Sequence, residues 1–485
     1  KNNYMNKDFK YLPKEDRKKI LLICDDIRVT SGIATVAKEI VVQTAQHFNW
    51  AQIAGAIQHP DKGKIFDISN EINSNTGITD SSVFLYPTDG YGNIELVRQL
   101  IKRENPDAIM LITDPRYFMW LFNAEGEIRK NMPIMYLNIW DDYPAPLYNK
   151  AFYESCDLLM GISKQTVNIN KIALGDKVKD KVIKYIPHGL NHNIYRPLET
   201  TEELDAVDKM KLDLFGKDEV DFVLFFNSRN IRRKQIPDTM WAFKMFLDSL
   251  PKEKANRCRF LLHTDLVHEA GTDLPVVNEL LFGDSYPNAI VFDTKKWSTK
   301  ELNLLYNMSD CQILLTSNEG WGLTLTEAML AGNPIIANST GGMQDQMRFL
   351  DEEGKWFTPT PEVPSNNTGR YKKHGEWAFP VYPTSRSIQG SPVTPYIWDD
   401  RCKPEDAAKR IKEVYDLGPQ KRKEIGAKAR EWCLSEEAGF TAEQQGKKFI
   451  EAADELFSSW KPREAFEVID TDEDIRKTNT HKLVY

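Results

Sequence analysis

Short unbroken apolar runs, each followed by a turn and a helical stretch, constrain this chain more than any other feature. Ile20-Leu-Leu-Ile-Cys24 is the first of them. A run with no polar alternation suits a strand buried on both faces, as in a parallel sheet covered by helices. Behind it, Ile33, Val36, Ala37, Ile40, Val41 and Ala45 recur at helical spacing and predict a helix over 33–48, with Gly32 at the join. The rhythm returns at 108–112, 133–140, 157–163 and 182–186. It resumes at 222–226, 260–263, 289–292, 311–315 and 334–337, with helices expected at 239–250 and 323–331 among the intervening stretches. Strands alternating with helices predict doubly wound α/β units, and two such series predict two of them in tandem. The polar, acidic stretch 191–213, which carries Pro197, is expected to be the linker. The division predicted is 1–195 for the first domain and 196–440 for the second.

The second series is interrupted. Residues 353–396 are rich in Pro, Gly, Ser and Asn, and hold Trp356, Phe357, Tyr371, Trp377, Phe379, Tyr382 and Tyr396. A long irregular segment in a compact domain is uncommon and often functional. It reads either as a surface insertion packed by its own aromatic residues or as a lid or acceptor-binding element. Helices are then predicted at 404–417, 419–433 and 441–460, before a polar tail over 461–485.

Composition narrows the classes. With 41% hydrophobic, 28% charged and 11% aromatic residues among 485, the chain reads as an ordinary globular protein. A formal net charge of −8 argues against a dedicated binder of a phosphate backbone, while leaving room for a local basic cleft. The six cysteines form no CxxC pair, so neither a zinc site nor a disulfide framework is expected, and a cytoplasmic setting is the natural reading. No run approaches the ~20 apolar residues of a membrane span, and 1–19 has no apolar signal region.

Three clusters carry chemistry. Glu319 and Glu327 bracket a glycine turn and a helix start in Glu319-Gly-Trp-Gly-Leu-Thr-Leu-Thr-Glu327. Gly320 and Gly322 permit close backbone approach, and the free N–H groups of a helix start favour a phosphate. Glu327 reads equally as a first-turn acid favoured by the helix dipole and as a carboxylate for a ribose diol. The second cluster, Asn227-Ser-Arg229-Asn-Ile-Arg-Arg233-Lys234, follows the strand 222–226. It is either an exposed basic loop or a set of cations for a leaving diphosphate. The third, Arg28-Val-Thr-Ser31-Gly32-Ile-Ala, lacks the full GxGxxG pattern and is a weak dinucleotide signal.

Together these residues resemble retaining GT-B glycosyltransferases, family 4 (glycosyl transferases group 1) in particular. Glu319 to Glu327 looks like the E-x7-E motif of that family, and Ala328-Met-Leu-Ala-Gly332-Asn-Pro334 like its continuation. Arg229 to Lys234 is similar to its G-R…K segment. Ile186-Pro187-His188-Gly189-Leu190…Arg196-Pro197 resembles its interdomain stretch, and 157–163 resembles its A-D-x-V-I-x-V-S strand. The motifs stand in family order over about 20–450.

The resemblance implies a GT-B architecture, two Rossmann-like domains facing a cleft, with 441–485 returning to the first domain. It implies a metal-independent retaining transferase using a nucleotide-sugar (a UDP-, GDP- or ADP-sugar) as co-substrate, with no further cofactor. Catalytic roles would fall to Glu319, Arg229 and Lys234, and donor contacts to Gly32, Gly322, Leu323, Thr324 and Glu327. The family's first-domain His falls at Trp140 here, so Asp114, Asp141 and His188 are the acceptor-side candidates. The acceptor hydroxyl is left open among a glycan, a small molecule, a protein and a hydroxymethylated DNA base. The alternatives are a nucleotide-sugar-binding protein with a degenerate site, and a GT-B phosphorylase or epimerase.

Overall fold

The computed structural model describes residues 11–464. In the first half the strands are β1 (Lys18–Asp25), β2 (Phe48–Ala56), β3 (Phe66–Asp67), β4 (Val83–Asp89), β5 (Ala108–Ile112), β6 (Ile134–Asn138), β7 (Leu158–Gly161) and β8 (Val182–Tyr185). They form one sheet in the order β3-β4-β2-β1-β5-β6-β7-β8, parallel except for β3 against β4. The second half supplies β9 (Phe222–Asn227), β10 (Cys258–His263), β11 (Ile290–Asp293), β12 (Cys311–Leu314), β13 (Ile335–Asn338) and β14 (Ala378–Val381). These form a parallel sheet ordered β11-β10-β9-β12-β13-β14. Both sheets are doubly wound, with helices on their two faces, so the expected pair of Rossmann-like halves is present.

The central strands are the apolar runs read from the sequence, and β1 is fully buried from Ile20 to Cys24. Three first-domain strands, β2, β3 and β4, escaped that reading. β2 buries Asn49 and Gln52 among its apolar residues, and it begins three residues after the C-cap of the preceding helix, Gly32–Thr44. The helical spacing therefore runs on into its first residue, Phe48. Gln52 tolerates burial because its side chain donates to the Asp25 carbonyl at 2.7 Å. β4 contains Pro87, which argues against an inner strand.

The linker also differs from expectation. Thr200 and Glu203 form a reciprocal capping box, and 201–215 is a helix, Thr201–Phe215. It packs on the helix Thr299–Met308 of the second half. The segment 353–396 is likewise not wholly irregular. It contains β14, and it runs into an antiparallel hairpin of β15 (Pro383–Gln389) and β16 (Ile397–Cys402).

Among the described residues the chain passes between the halves twice, side by side. Leu190 N donates to Phe440 O at 3.1 Å, and Ala442 N donates to Leu190 O at 2.9 Å. A Cβ on Gly189 would lie 2.1 Å from Thr441 O, so only glycine lets the two crossings touch. The C-terminal helix Ala442–Ser459 then lies on the first half, where the Phe449 ring meets Phe48 at 5.9 Å and Trp50 at 5.8 Å. The polar tail expected at 461–485 lies outside the described residues beyond 464.

Candidate active site

The loops that follow the C-terminal ends of the second-domain strands meet the first domain directly. After β12 the chain runs through Thr316, Ser317 and Asn318 to Glu319, turns at Gly320 and Gly322, and enters the helix Leu323–Leu330. Gly322 has φ of 91°, a conformation that disfavours a side chain. Leu323 and Thr324 are half-buried at the first turn, where N–H groups lack helical partners.

After β9, Arg233 and Lys234 reach the same loop. Lys234 Nζ lies 2.5 Å from Glu319 Oε2, and Arg233 Nη1 lies 3.0 Å from the same oxygen and 2.8 Å from Asn318 O. The Arg233 carbonyl accepts from Ser317 N at 2.9 Å, so this residue holds the loop by both backbone and side chain. Burial pushes the Glu319 carboxyl up, but the two cations outweigh it and hold it down at about 2. Burial pulls Lys234 below its ordinary value, with Glu319 opposing. Of the basic cluster it is Arg233 and Lys234 that turn inward. Arg229 is exposed and has no ion pair among the described residues.

Glu327 lies on the helix itself. The Tyr306 hydroxyl donates to its Oε2, and Asn227 Nδ2 donates to that hydroxyl at 3.2 Å. Burial pushes Glu327 up to about 7, against the hydrogen bonds from Tyr306 and Tyr195. Nearby, His263 Nδ1 lies 2.8 Å from Asp293 Oδ2, which also accepts from Trp297 Nε1 at 2.5 Å.

The first domain brings Asp141 to this cluster. A Cβ on Gly320 would lie 2.7 Å from Ile139 O and 3.3 Å from Asp141 Oδ1, so the glycine turn is pressed directly against the β6 loop. Burial raises the Asp141 carboxyl, Arg233 opposes this and Glu319 adds to it. The other acceptor-side candidates are placed differently. Asp114 accepts from Arg116 N at 2.9 Å and is ion-paired with the Arg116 guanidinium. His188 is buried edge-on against Trp321, with ring centroids 6.1 Å apart, and burial pulls it down to about 3, leaving it neutral. Gly32 opens the first helix, where Ser31 Oγ caps Ala34 N at 3.0 Å, and a Cβ at Gly32 would meet nothing within 4 Å.

Sequence reasoning missed the hairpin beside this site. Asp399 Oδ1 accepts from Ser317 Oγ at 3.1 Å and Asn318 Nδ2 at 3.0 Å. Asp400 Oδ2 accepts from Thr340 Oγ1 at 2.9 Å, and Asp142 of the first domain approaches the same hydroxyl at 3.4 Å. Burial, with Asp400 adding to it, pushes Asp142 well above the usual carboxylate range. The adjacent acids Asp141-Asp142 and Asp399-Asp400 were visible in the sequence, but their meeting across two domains was not. Among the described residues no group of three His, Cys, Asp or Glu side chains is arranged to hold a metal ion. No helix among them is long and apolar enough to cross a membrane.

The fold is shared with known glycosyltransferases. The glycosyltransferase from Rickettsia africae superposes with a TM-score of 0.63 at 16% identity, covering 92% of this chain and 100% of that one. HepE from Anabaena, in complex with UDP and glucose, gives 0.61 at 14% identity, covering 90% and 100%. The chain has the GT-B fold of glycosyltransferases. Within this GT-B chain, residues 287–362 match the family model of glycosyl transferases group 1, a stretch that includes Glu319, the glycine turn and Glu327. The alpha-monoglucosyldiacylglycerol synthase of Acholeplasma laidlawii is 29% identical over 191 residues, which is 37% of this chain. That match spans 42% of the relative's length.

Proposed function

We propose that this chain transfers a sugar from a nucleotide-sugar to an acceptor hydroxyl with retention at the anomeric carbon. The observation that carries the reading is the Glu319–Lys234–Arg233 cluster ahead of a helix start, with Asp141 of the first domain beside it. The donor diphosphate sits between Lys234, Arg233 and the N–H groups at Gly322, Leu323 and Thr324. Fixed cations and a helix start take up negative charge as it develops. Arg229, expected to share this role, is a second-line contact from the exposed end of the loop. Glu327, held by Tyr306 and Tyr195, receives the ribose hydroxyls. Gly32 faces the donor from the first domain.

In the transfer step the bond from the anomeric carbon to the phosphate oxygen breaks. The acceptor oxygen bonds to the same face, and its proton passes to the departing phosphate oxygen. Lys234, with Arg233 and the helix start beside it, supplies positive charge to that leaving group, which supports a metal-independent reaction. Asp141 is the acceptor-side carboxyl best placed to orient the incoming hydroxyl, because Asp114 is committed to Arg116 and His188 lies behind Trp321. Among UDP-, GDP- and ADP-sugars, UDP-glucose is the first donor to test, since the HepE structure holds UDP and glucose. The six cysteines are unpaired thiols, which supports a reducing, cytoplasmic setting.

The test is donor turnover with UDP-, GDP- and ADP-sugars, followed as release of the nucleotide. Turnover by the wild type that disappears in Lys234→Ala supports the reading. Tight nucleotide binding with no turnover of any donor would instead make the chain a nucleotide-sugar-binding protein.

A further inference from the structure

β16 is hydrogen-bonded to both domains within a span of two residues. Trp398 N donates to Tyr143 O of the first domain at 2.9 Å, and Asp400 N donates to Ser317 O of the second at 2.8 Å. On the first-domain side the hairpin is held further by Tyr396. Its hydroxyl donates to Ala145 O at 3.2 Å and accepts from Leu147 N at 3.0 Å, while its carbonyl accepts from the Tyr148 hydroxyl at 2.9 Å. Arg116 Nη2 adds a bond to Thr394 Oγ1 at 2.9 Å. On the second-domain side, Asp399 takes both Ser317 Oγ and Asn318 Nδ2, and Asn338 Nδ2 donates to Asp400 O at 2.8 Å. The loop that ends in Glu319 is therefore gripped from one flank by Arg233 and from the other by Asp399.

We propose that the hairpin Pro383–Cys402 is a clasp that completes the site, with Asp399 as a positioning residue for Glu319. Seating of Tyr396 and Trp398 on the 143–149 loop sets the register of β16. That register presents Asp399 to Ser317 and Asn318, and those two residues fix the backbone from which Glu319 projects toward Lys234. Two successive residues of a strand point to opposite faces, so Trp398 can face the first domain while Asp399 faces the donor loop. The consequence is coupling. Whatever orders the 143–149 loop on the acceptor side also orders the Glu319 loop on the donor side. The assignment of Glu319 to the donor rests on the transferase reading above; the coupling between the two loops does not.

Amide hydrogen exchange on the full chain tests this without any ligand. Tyr396→Phe removes a hydroxyl that bonds only to the first domain. It should nevertheless speed exchange at 316–319 by about tenfold, as expected when a local opening is eased. Asp399→Ala should do the same at 143–149, on the first-domain side. Effects confined to the side of each substitution would overturn the clasp. Asp399→Asn keeps an oxygen that accepts both hydrogen bonds and should restore wild-type exchange at both loops; failure to do so would overturn the positioning role. With a donor that the panel shows to be turned over, Asp399→Ala should lower kcat about tenfold while the donor KM moves less than about threefold, the pattern of a misplaced reacting group. If no donor is turned over, the transferase reading fails and the exchange result still decides the clasp.

Discussion

Lys234 Nζ lies 2.5 Å from Glu319 Oε2, so each of these buried side chains is the other's counter-ion before any ligand arrives. A diphosphate that enters must share the ammonium with a carboxylate already in place. Arg233 on the same oxygen is what makes this tolerable, because Glu319 remains paired when Lys234 turns to the donor.

Lys234→Ala should therefore lower turnover by about 10²–10³-fold, the scale of losing one charged group at a developing anion. Arg233 still neutralises Glu319, so the fold should survive. Initial rates and a thermal melt on the same preparation check both halves. Near-wild-type rates would remove Lys234 from the site.

Glu327 gives a pH dependence with a definite sign. Its carboxyl is pushed up to about 7 by burial, whereas a ribose diol donates hydrogen bonds to the ionised form. Nucleotide affinity should rise as pH increases through about 7, and Glu327→Gln should flatten that component. Titration calorimetry with UDP at pH 6 and pH 8, taken as the difference between wild type and variant, cancels the ionisation of the nucleotide itself. Parallel profiles would show that Glu327 does not meet the ribose.

Asp142 should make the folded state less stable as pH rises. Its folded value lies well above the unfolded one through burial and the neighbouring Asp400. The folded chain thus holds a proton that the unfolded chain has released. Its stabilising contribution is full below the ordinary carboxylate value and is lost as pH rises through the raised one. Asp142→Asn should remove this component, giving a shallower decline in urea midpoint between pH 4.5 and pH 8. Glu327 and Asp345 are raised as well and act with the same sign, so the test is the difference between the two proteins.

Phe449→Ala should loosen the C-terminal helix from the first domain. The ring is fully buried between Phe48 and Trp50, and such truncations cost about 3–5 kcal/mol. Urea unfolding measures the loss. A change near zero would mean that this helix contributes little to holding the first domain.

Most of the inner strands were legible because a strand covered on both faces is largely apolar, as Ile20–Cys24 and Phe222–Phe226 are; β2 and β4 are inner strands that were not. The turn at 319–322 was legible because two glycines ahead of an apolar helical stretch mark a loop that enters a helix. The residues that evaded the sequence are those whose partners are remote. Gln52 in β2 depends on the Asp25 carbonyl, and Asp399 means nothing until Ser317 and Asn318 are beside it. Arg233 and Arg229 are equivalent on paper. Only the turn Arg232–Lys234, which follows Ile231, decides which of them points inward. The capping box at Thr200 and Glu203 stands in the sequence as Thr-x-x-Glu, although the acidic composition around it points to a linker.

The contact between Leu190 and Ala442 has a mechanical consequence. Both covalent links between the halves pass through one place, locked by a glycine that admits no side chain. Two separated links would confine the halves to rotation about the line that joins them. A single paired crossing acts as one pivot, and relative motion of the halves turns about that point.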